Sequence, residues 1–364
     1  MKILKLLKIL CWVDDKTIIG SSNNKVYLVD ILSEKVLKSL IIPPKFTEVF
    51  RFSRLASRLF RLGIQASCIL DDHLYIAYNS YIYLIQLSTF SIIKRYNGFK
   101  GKSPLYLVPV ENIPGFEKGV YFGEYFNNKL KTECSVFYIN PAEIRKVFTF
   151  KTNSIEHIHN LVPDFKNECL WIFTGDFGQS PGIYIVKDNF KDVKPTLVGN
   201  QKYRACFGFP YRDGLVYFTD SQFSLNYMIY LYQFNGEWLT ESLSQIQGPC
   251  IFGTLLKDYI VYTTCTEPEI SKNKIKNYFT NTPSKFIESN HVTLNIMNKD
   301  LKIVKSFSFA KDIYPMVLFQ FGNIILPSSN VFNNILFAYL VAIKLQDQTN
   351  LKINLDELGQ KTIL

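Results

Sequence analysis

Four acidic residues follow predicted β-strands in the same local setting. They are Glu124 after VYFG, Asp176 after LWIFTG, Asp220 after VYFT and Glu267 after IVYTTCT, at nearly regular intervals along the chain. Like carboxylates that converge in a fold need a cation, a proton or a ligand to offset their repulsion. Two of them could also perform glycoside hydrolysis, one as the acid and the other as the base or nucleophile. Asp176, Asp220 and Glu124 are therefore the candidate catalytic residues.

Two of the four histidines of the chain occur together in the sequence HIHN, as His157 and His159. Alternate residues of a strand point to the same face, so we expect both imidazoles to act at one place. Neutral imidazole and carboxylate oxygen suit Zn, Mn or Fe, which makes His157, His159 and Asp176 a candidate site for a divalent metal cofactor. The alternatives are hydrogen bonds that tie neighbouring strands together and direct contact with a substrate.

The segment QKYR supplies Gln201 and Arg204 as further candidates for ligand binding. The planar guanidinium of Arg204 could bind an acidic ligand through two hydrogen bonds, or it could neutralise Asp176 or Asp220. Together with His157 and His159, these residues and Glu267 form the predicted substrate-binding set.

The elements that would position these residues repeat along the chain. Each unit of about 40 to 50 residues contains strands separated by turns rich in Asp, Asn, Ser or Gly, a pattern typical of a β-propeller with one four-stranded sheet per blade. Seven such units predict an all-β, seven-bladed propeller that occupies residues 1–364 as a single domain, with six blades as the alternative. The tail after residue 348, with LKINL, would supply the last outer strand or pair with the N-terminal strand.

Two segments interrupt the repeat. Residues 47–62 predict an amphipathic helix with Phe52, Leu55, Leu59 and Leu62 on one face and arginines along its flank, which are Arg51, Arg54, Arg58 and Arg61. The arginines would be solvated, or they would bind an acidic protein, an anionic sugar chain or a membrane surface. Residues 271–290 are rich in Lys and Asn and predict a long surface loop.

Composition narrows the class of protein. Hydrophobic residues make up 47% of the chain and aromatic residues 15%, which suits a large β core, and the net charge of +10 is scattered rather than clustered as in nucleic-acid-binding proteins. The seven cysteines show no paired spacing and predict buried thiols in a reducing compartment. No apolar stretch approaches the ~20 residues of a transmembrane helix. These features predict a cytoplasmic protein.

Several of these motifs also occur in a known group of proteins. GEY with Glu124, HIHN, LWIFTGD, QKYR and TDS with Asp220 together resemble the sialidase-like β-propellers of the Asp-box repeat superfamily, in particular uncharacterised prokaryotic members labelled as glycosyl hydrolases. The resemblance covers residues 118–222. It implies a propeller fold and recognition of a carbohydrate or acidic glycan.

Three functions remain open on the sequence. The first is recognition of a carbohydrate or acidic glycan at the central channel, with hydrolysis or lyase-type cleavage. The second is a non-enzymatic scaffold for protein interactions that uses the arginines of residues 47–62. The third is a metal-dependent hydrolase or lactonase built on the acidic residues.

Overall fold

The computed structural model describes residues 3–44, 46–328 and 334–358. Within these residues, 27 strands form seven antiparallel sheets, six with four strands and one with three. The strands of each sheet follow one another in chain order, so each sheet is one blade of a meander type. The chain is therefore an all-β, seven-bladed β-propeller, as the repeat predicts.

The first four blades end at Val198. Their strands are β1 Lys8–Trp12, β2 Thr17–Ser22, β3 Lys25–Asp30 and β4 Val36–Ile41 in blade 1; β5 Ala66–Leu70, β6 His73–Tyr78, β7 Tyr81–Gln86 and β8 Ser91–Tyr96 in blade 2; β9 Val108–Val110, β10 Gly119–Gly123, β11 Cys134–Ile139 and β12 Ile144–Phe150 in blade 3; β13 His157–Asp164, β14 Cys169–Gly175, β15 Gly182–Lys187 and β16 Asp192–Val198 in blade 4.

The remaining three blades begin at Ala205. Their strands are β17 Ala205–Tyr211, β18 Gly214–Thr219, β19 Asn226–Phe234 and β20 Glu237–Ile246 in blade 5; β21 Gly253–Leu255, β22 Tyr259–Thr263, β23 His291–Asn298 and β24 Ile303–Ala310 in blade 6; β25 Asn323–Ile325, β26 Ile335–Val341 and β27 Thr349–Asn354 in blade 7. The segment LKINL thus lies in and just after β27, where it supplies the outer strand of the last blade, one of the two predicted roles.

Three short α-helices are present among the described residues. Along the chain, α1 Arg54–Leu59 lies between blades 1 and 2, α2 Lys274–Phe279 between β22 and β23 of blade 6, and α3 Met316–Phe319 between blades 6 and 7. Short 3-10 helices occupy Ile3–Lys5, Phe46–Phe50, Asp188–Phe190, Gln201–Tyr203 and Asp356–Leu358. No helix among the described residues is long and apolar enough to cross a membrane.

The chain divides into two compact units. One comprises Met1–Ile64 with Gln247–Leu364 and contains blades 1, 6 and 7 and the three α-helices; the other is Gln65–Ile246 and contains blades 2 to 5. All seven cysteines are buried, in agreement with the prediction from the sequence.

The position of a strand within its blade decides its burial. The second strands β10, β14 and β18 are buried at every position, whereas the outer strands β4 and β8 expose nearly all of theirs. Strands buried on both faces read as continuous apolar runs rather than as alternating patterns. Two-residue hairpins with both residues at positive φ join some of these strands, such as Asn79–Ser80 and Asn235–Gly236, because that turn matches the twist of the strands it connects.

Candidate functional sites

The pairing of β13 with β14 places the two histidines of blade 4. Ile158 pairs with Thr174 and Asn160 with Phe173, so His159 lies in a β-bulge without a partner, and bulges re-aim side chains. Gly175 faces His157 in the ladder, and an added Cβ at Gly175 would lie 2.3 Å from Cε1 of His159. The bulge and the missing side chain of Gly175 together let the His159 ring lie across the end of β14.

Both imidazoles contact the carboxylate of Asp176, the first residue after β14. The Nε2 atom of His159 lies 2.8 Å from Oδ1 of Asp176, and Nε2 of His157 lies 3.3 Å from Oδ2. The two Nε2 atoms are 3.0 Å apart. His157 and His159 are buried, while the side chain of Asp176 keeps 17% of its surface exposed. The three side chains that the sequence proposed as metal ligands therefore meet at one point.

The second nitrogen of each ring is held by the backbone. Nδ1 of His157 donates to the carbonyl oxygen of Phe126 at 3.1 Å, and Nδ1 of His159 donates to that of Ala205 at 2.9 Å. A carbonyl oxygen only accepts, so each Nδ1 carries a hydrogen.

Arg204 lies between two carboxylates and is buried. Its Nε is 3.1 Å from Oδ1 of Asp176, and its Nη2 is 3.4 Å from Oδ2 of Asp220. Burial opposes the ionisation of Asp176, but the opposing effects, the charge of Arg204 foremost, hold the pKa of Asp176 well below its usual value. Of the two roles predicted for Arg204, the contacts show neutralisation of Asp176 and Asp220.

Cys206 occupies the bulge of the inner strand of blade 5, the position that His159 has in blade 4. Its thiol donates to Oδ2 of Asp220 at 3.1 Å. Burial, followed by the charge of Asp220, raises the pKa of Cys206 well above that of an ordinary thiol. Cys206 is therefore a protonated hydrogen-bond donor, and the second carboxylate of the cluster is held by a thiol and a guanidinium.

Residues that the sequence analysis did not select support this cluster. Glu156 is buried and accepts hydrogen bonds from the backbone N–H groups of Asp176 at 3.0 Å and Phe177 at 3.2 Å. The ring of Tyr125 lies 4.6 Å from that of His157. The adjacency of Glu156 to His157 and of Tyr125 to Glu124 was the only signal in the sequence for either residue.

Gln201 holds the backbone of the same loop. Its Nε2 donates to the carbonyl oxygen of Asp176 at 2.7 Å, and its Oε1 accepts from the hydroxyl of Ser221 at 2.8 Å. Both ends of this side chain are engaged within the protein, so the structure gives Gln201 a positioning contact at the predicted site.

The other two predicted acidic residues have different surroundings. Glu124 directly follows β10, as Asp176 follows β14, but its oxygens accept from the backbone N–H groups of Lys100 at 2.7 Å and Ser135 at 2.9 Å. Two backbone donors thus hold both oxygens of this buried side chain, and the catalytic role of Glu124 stays a prediction. Glu267 belongs to the other compact unit and lies four residues beyond β22, so its position in its blade is not equivalent to that of the other three.

A second candidate site is formed around α3. Helix α3 contacts both α1 and α2, and the backbone N–H of Met316 donates to the carbonyl oxygen of Thr280, at the end of α2. We call the exposed apolar side chains of residues 46–60, 275–279 and 313–314 the helical platform. They are Phe46, Val49, Phe50, Phe52, Leu59, Phe60, Ile275, Tyr278, Phe279, Ile313 and Tyr314.

The insertion differs in two respects from the helix predicted over residues 47–62. Its α-helix begins only at Arg54, because Ser53 is extended and caps it by accepting from the N–H of Ala56. Phe52 consequently precedes the helix and is 86% exposed instead of packed. Arg58, predicted among the solvated or partner-binding arginines, is 1% exposed and pairs with Asp312 and Asp347.

Comparisons with known proteins identify the fold. No family model and no curated protein matches the sequence. Among solved structures, the Cps50 (Swd1) β-propeller domain of Myceliophteria thermophila is similar with a TM-score of 0.57 and 8% identity, over 95% of both chains. The structure of U3-55K is similar with a TM-score of 0.52 and 11% identity, over 96% of this chain and 95% of the other. At these identities the likeness concerns the propeller fold alone, and the resemblance to sialidase-like propellers stays a prediction.

Proposed function

We propose that this protein is a non-enzymatic interaction scaffold that binds an acidic segment of a partner protein on the helical platform. The observation that carries this proposal is the cluster of exposed aromatic rings and basic side chains around α1, α2 and α3. Most of its residues belong to the two segments that interrupt the blade repeat, and Ile313 and Tyr314 lie in the connection between β24 and β25.

The aromatic residues of the platform are exposed to an unusual degree. Phe46 and Phe52 each expose 86% of their surface, and neighbouring Phe50 and Phe60 stack at 4.9 Å while remaining exposed. Full burial of one phenylalanine side chain is worth about 1.5–3 kcal/mol. A partner that covers several of these rings would therefore gain more binding free energy than a partner that covers an ordinary polar surface. Large exposed apolar patches are typical of interaction sites.

The charges on the platform favour an acidic partner. Arg54 is exposed on α1, Lys274 and Lys276 are exposed on α2, and neither helix contains an acidic residue. Arg51 is exposed and lies over the ring of Phe52, with the guanidinium carbon 5.2 Å from the ring centroid. Arginine and aromatic residues are the types most enriched at the energetic centres of protein interfaces.

The glycan and hydrolase hypotheses have less support. Arg204, the residue expected to bind an acidic sugar, is buried against Asp176 and Asp220, and Glu124 is held by the backbone. The solved structures that resemble this chain share its fold and carry no argument for catalysis. Recognition of a carbohydrate stays a prediction from the sequence resemblance.

The test is selection of binding peptides from a displayed random library against the immobilised protein. We expect the enriched peptides to combine Asp or Glu with aromatic or aliphatic residues and to lose affinity at high salt. Synthetic versions would then be titrated by fluorescence anisotropy. Phe52→Ser and Arg54→Glu should each weaken binding, and the loss of a hot-spot residue at about 2 kcal/mol corresponds to roughly a 30-fold increase in Kd.

Matched changes elsewhere provide the control. Phe234→Ser removes a phenylalanine that is also exposed, and Lys187→Glu reverses an exposed charge, both in the unit without the platform. These two variants should bind the peptides as the wild type does. The proposal fails if the platform variants retain full affinity. It also fails if the wild type binds no acidic peptide and the platform variants lose binding only to phosphatidylserine vesicles or to RNA.

A further inference from the structure

In the His157, His159 and Asp176 cluster, two imidazole nitrogens and a carboxylate meet at one point. Each imidazole has its Nδ1 hydrogen committed to a backbone carbonyl oxygen, of Phe126 or Ala205. A neutral imidazole with hydrogen on Nδ1 carries a lone pair on Nε2. The two Nε2 atoms therefore direct lone pairs at each other across 3.0 Å and at the oxygens of Asp176.

This arrangement requires a cation at its centre. Two lone pairs and a carboxylate at such distances repel one another unless a proton or a metal ion lies between them. Arg204 contacts Oδ1 of Asp176 and Oδ2 of Asp220. A metal ion would bind on the side of Asp176 that faces the two rings.

The distances suit a metal ion. Ligands about 2.0–2.1 Å from a tetrahedral zinc ion are separated by roughly 3.3 Å. The separations here are 2.8 Å from His159 to Asp176, 3.0 Å between the histidines and 3.3 Å from His157 to Asp176. Small rotations of the side chains would bring all three to the expected value. Two histidines and one carboxylate are a common ligand set for divalent transition metals.

The surroundings also suit a metal ion. In metal sites the nitrogen of a histidine that is not bound to the metal donates to a carbonyl or a carboxylate, which fixes the ring and its tautomer; both histidines do so here. Glu156 fixes the backbone at Asp176, because its carboxylate accepts from the N–H groups of Asp176 and Phe177. Because the side chain of Asp176 is 17% exposed, solvent reaches the cluster and can supply a further ligand.

We propose that His157, His159 and Asp176 bind one divalent transition-metal ion, with Zn²⁺ the best match. Cys206 is not among the ligands, because its thiol hydrogen is donated to Asp220. Asp220 lies near enough to His159 for its carboxylate to balance the added positive charge, since ligand atoms of His159, Cys206 and Asp220 lie within 4.8 Å of one another.

The experiment is titration of chelator-treated protein with Zn²⁺ by calorimetry, and with Co²⁺ by visible absorption. We expect about one equivalent of either ion to bind, and the Co²⁺ spectrum to show the intense bands of a four-coordinate site. His157→Ala and His159→Ala should each remove this binding. The matched control is His73→Ala, which removes a histidine of the same unit outside the cluster and should leave the titration unchanged.

A second variant displaces a ligand without removing one. Gly175→Ala would place a Cβ within 2.3 Å of the His159 ring and so push the ring away from Asp176. We expect it to weaken Zn²⁺ binding about 10- to 100-fold, as changes to groups that position metal ligands do. Circular dichroism of each variant would show that the fold persists.

Three results would overturn the proposal. One is uptake by the wild type of less than about one tenth of an equivalent of Zn²⁺ or Co²⁺. Another is a ¹⁵N NMR spectrum of the histidine rings that shows a proton shared between the two Nε2 atoms and does not change when Zn²⁺ is added. Loss of binding in His73→Ala to the same extent as in His159→Ala would also contradict the assignment.

Discussion

Replacement of Arg58 by Ala should release α1 from α3 and disassemble the helical platform. The guanidinium of Arg58 is paired with Asp312 and, at 3.3 Å, with Asp347. It also donates to the carbonyl oxygens of Phe319 and Gln320, and Gln320 donates back to the carbonyl oxygen of Arg58 at 3.1 Å. One side chain therefore satisfies two carboxylates and two carbonyl groups.

The expected cost follows from these contacts. Removing one partner of a buried ion pair costs about 3–5 kcal/mol, because the charge left behind has lost its partner. Asp312 and Asp347 keep 13% and 15% of their side-chain surface exposed, so water would compensate part of the loss. We therefore expect Arg58→Ala to lower the free energy of unfolding of this region by about 3 kcal/mol, at the lower end of that range. The stability of Arg58→Lys should lie between those of the wild type and Arg58→Ala, since an ammonium group cannot make the same forked contacts.

Hydrogen exchange measured by mass spectrometry would locate this loss. In Arg58→Ala the amides of residues 54–62 and 316–322 should exchange faster by about 100-fold, the factor that corresponds to about 3 kcal/mol, while those of β14 should not change. Asp312→Asn combined with Arg58→Met should recover part of the protection, because it removes a charge on each side. The reasoning is refuted if Arg58→Ala leaves the protection of residues 54–62 unchanged, or if protection falls equally in β14.

Three further predictions concern single buried groups. Burial lowers the pKa of Lys8 to about 8, so the unfolded chain holds the ammonium proton more tightly than the folded protein does. The free energy of unfolding, measured with urea, should therefore rise as the pH increases from about 8 toward 10. Lys8→Met should remove that rise. Gly123→Ala would place a Cβ 2.2 Å from Cγ2 of Ile158 and should destabilise the protein by about 1–3 kcal/mol, which an unchanged thermal midpoint would contradict. Trp171→Phe removes the indole donor to the buried carboxylate of Asp164, at 3.1 Å, and should cost about 1–3 kcal/mol by urea unfolding, less if Asp164→Asn is also present.

The propeller could be predicted from the sequence because its signals are local. Each hairpin is marked by its own turn residues, as at Asn235–Gly236, and each inner strand reads as an apolar run. The repeat then extends these local signals to seven blades. The start of α1 and the surroundings of its arginines differ from the prediction for residues 47–62, because that segment lies outside the repeat.

The burial of Arg58 could not be predicted from its own segment. Its partners Asp312 and Asp347 lie 254 and 289 residues further along the chain. A helical pattern in RLASRL shows which residues share a face, but it does not show that a distant carboxylate will approach that face. Arg51 and Arg54, which belong to the same basic series, are exposed as predicted.

The candidate metal site was predictable in its members and not in its geometry. Strand alternation brought His157 and His159 together, and the strand end supplied Asp176. The bulge at His159 and the space left by Gly175 depend on the register between β13 and β14, which the sequence does not state. Tyr125, whose ring contacts that of His157, lies beyond the end of β10 at Gly123, where strand alternation no longer predicts the direction of a side chain.

Equivalent positions of three consecutive blades show how the repeat can acquire different chemistry. Glu124, Asp176 and Asp220 each directly follow the second strand of a blade. Their partners differ: backbone N–H groups hold Glu124, a guanidinium and a thiol hold Asp220, and two imidazoles and the same guanidinium face Asp176.

The residue at the bulge of the inner strand accounts for the difference between blades 4 and 5. Blade 5 has Cys206 there, whose thiol donates to Oδ2 of Asp220. Blade 4 has His159, whose Nδ1 is already committed to Ala205, so its Nε2 faces Asp176. The thiol of Cys206 forms a structural hydrogen bond, whereas the imidazole of His159 is a group that can bind a metal ion. We therefore expect that a change of residue at one bulge position can turn a structural contact into a metal-binding site.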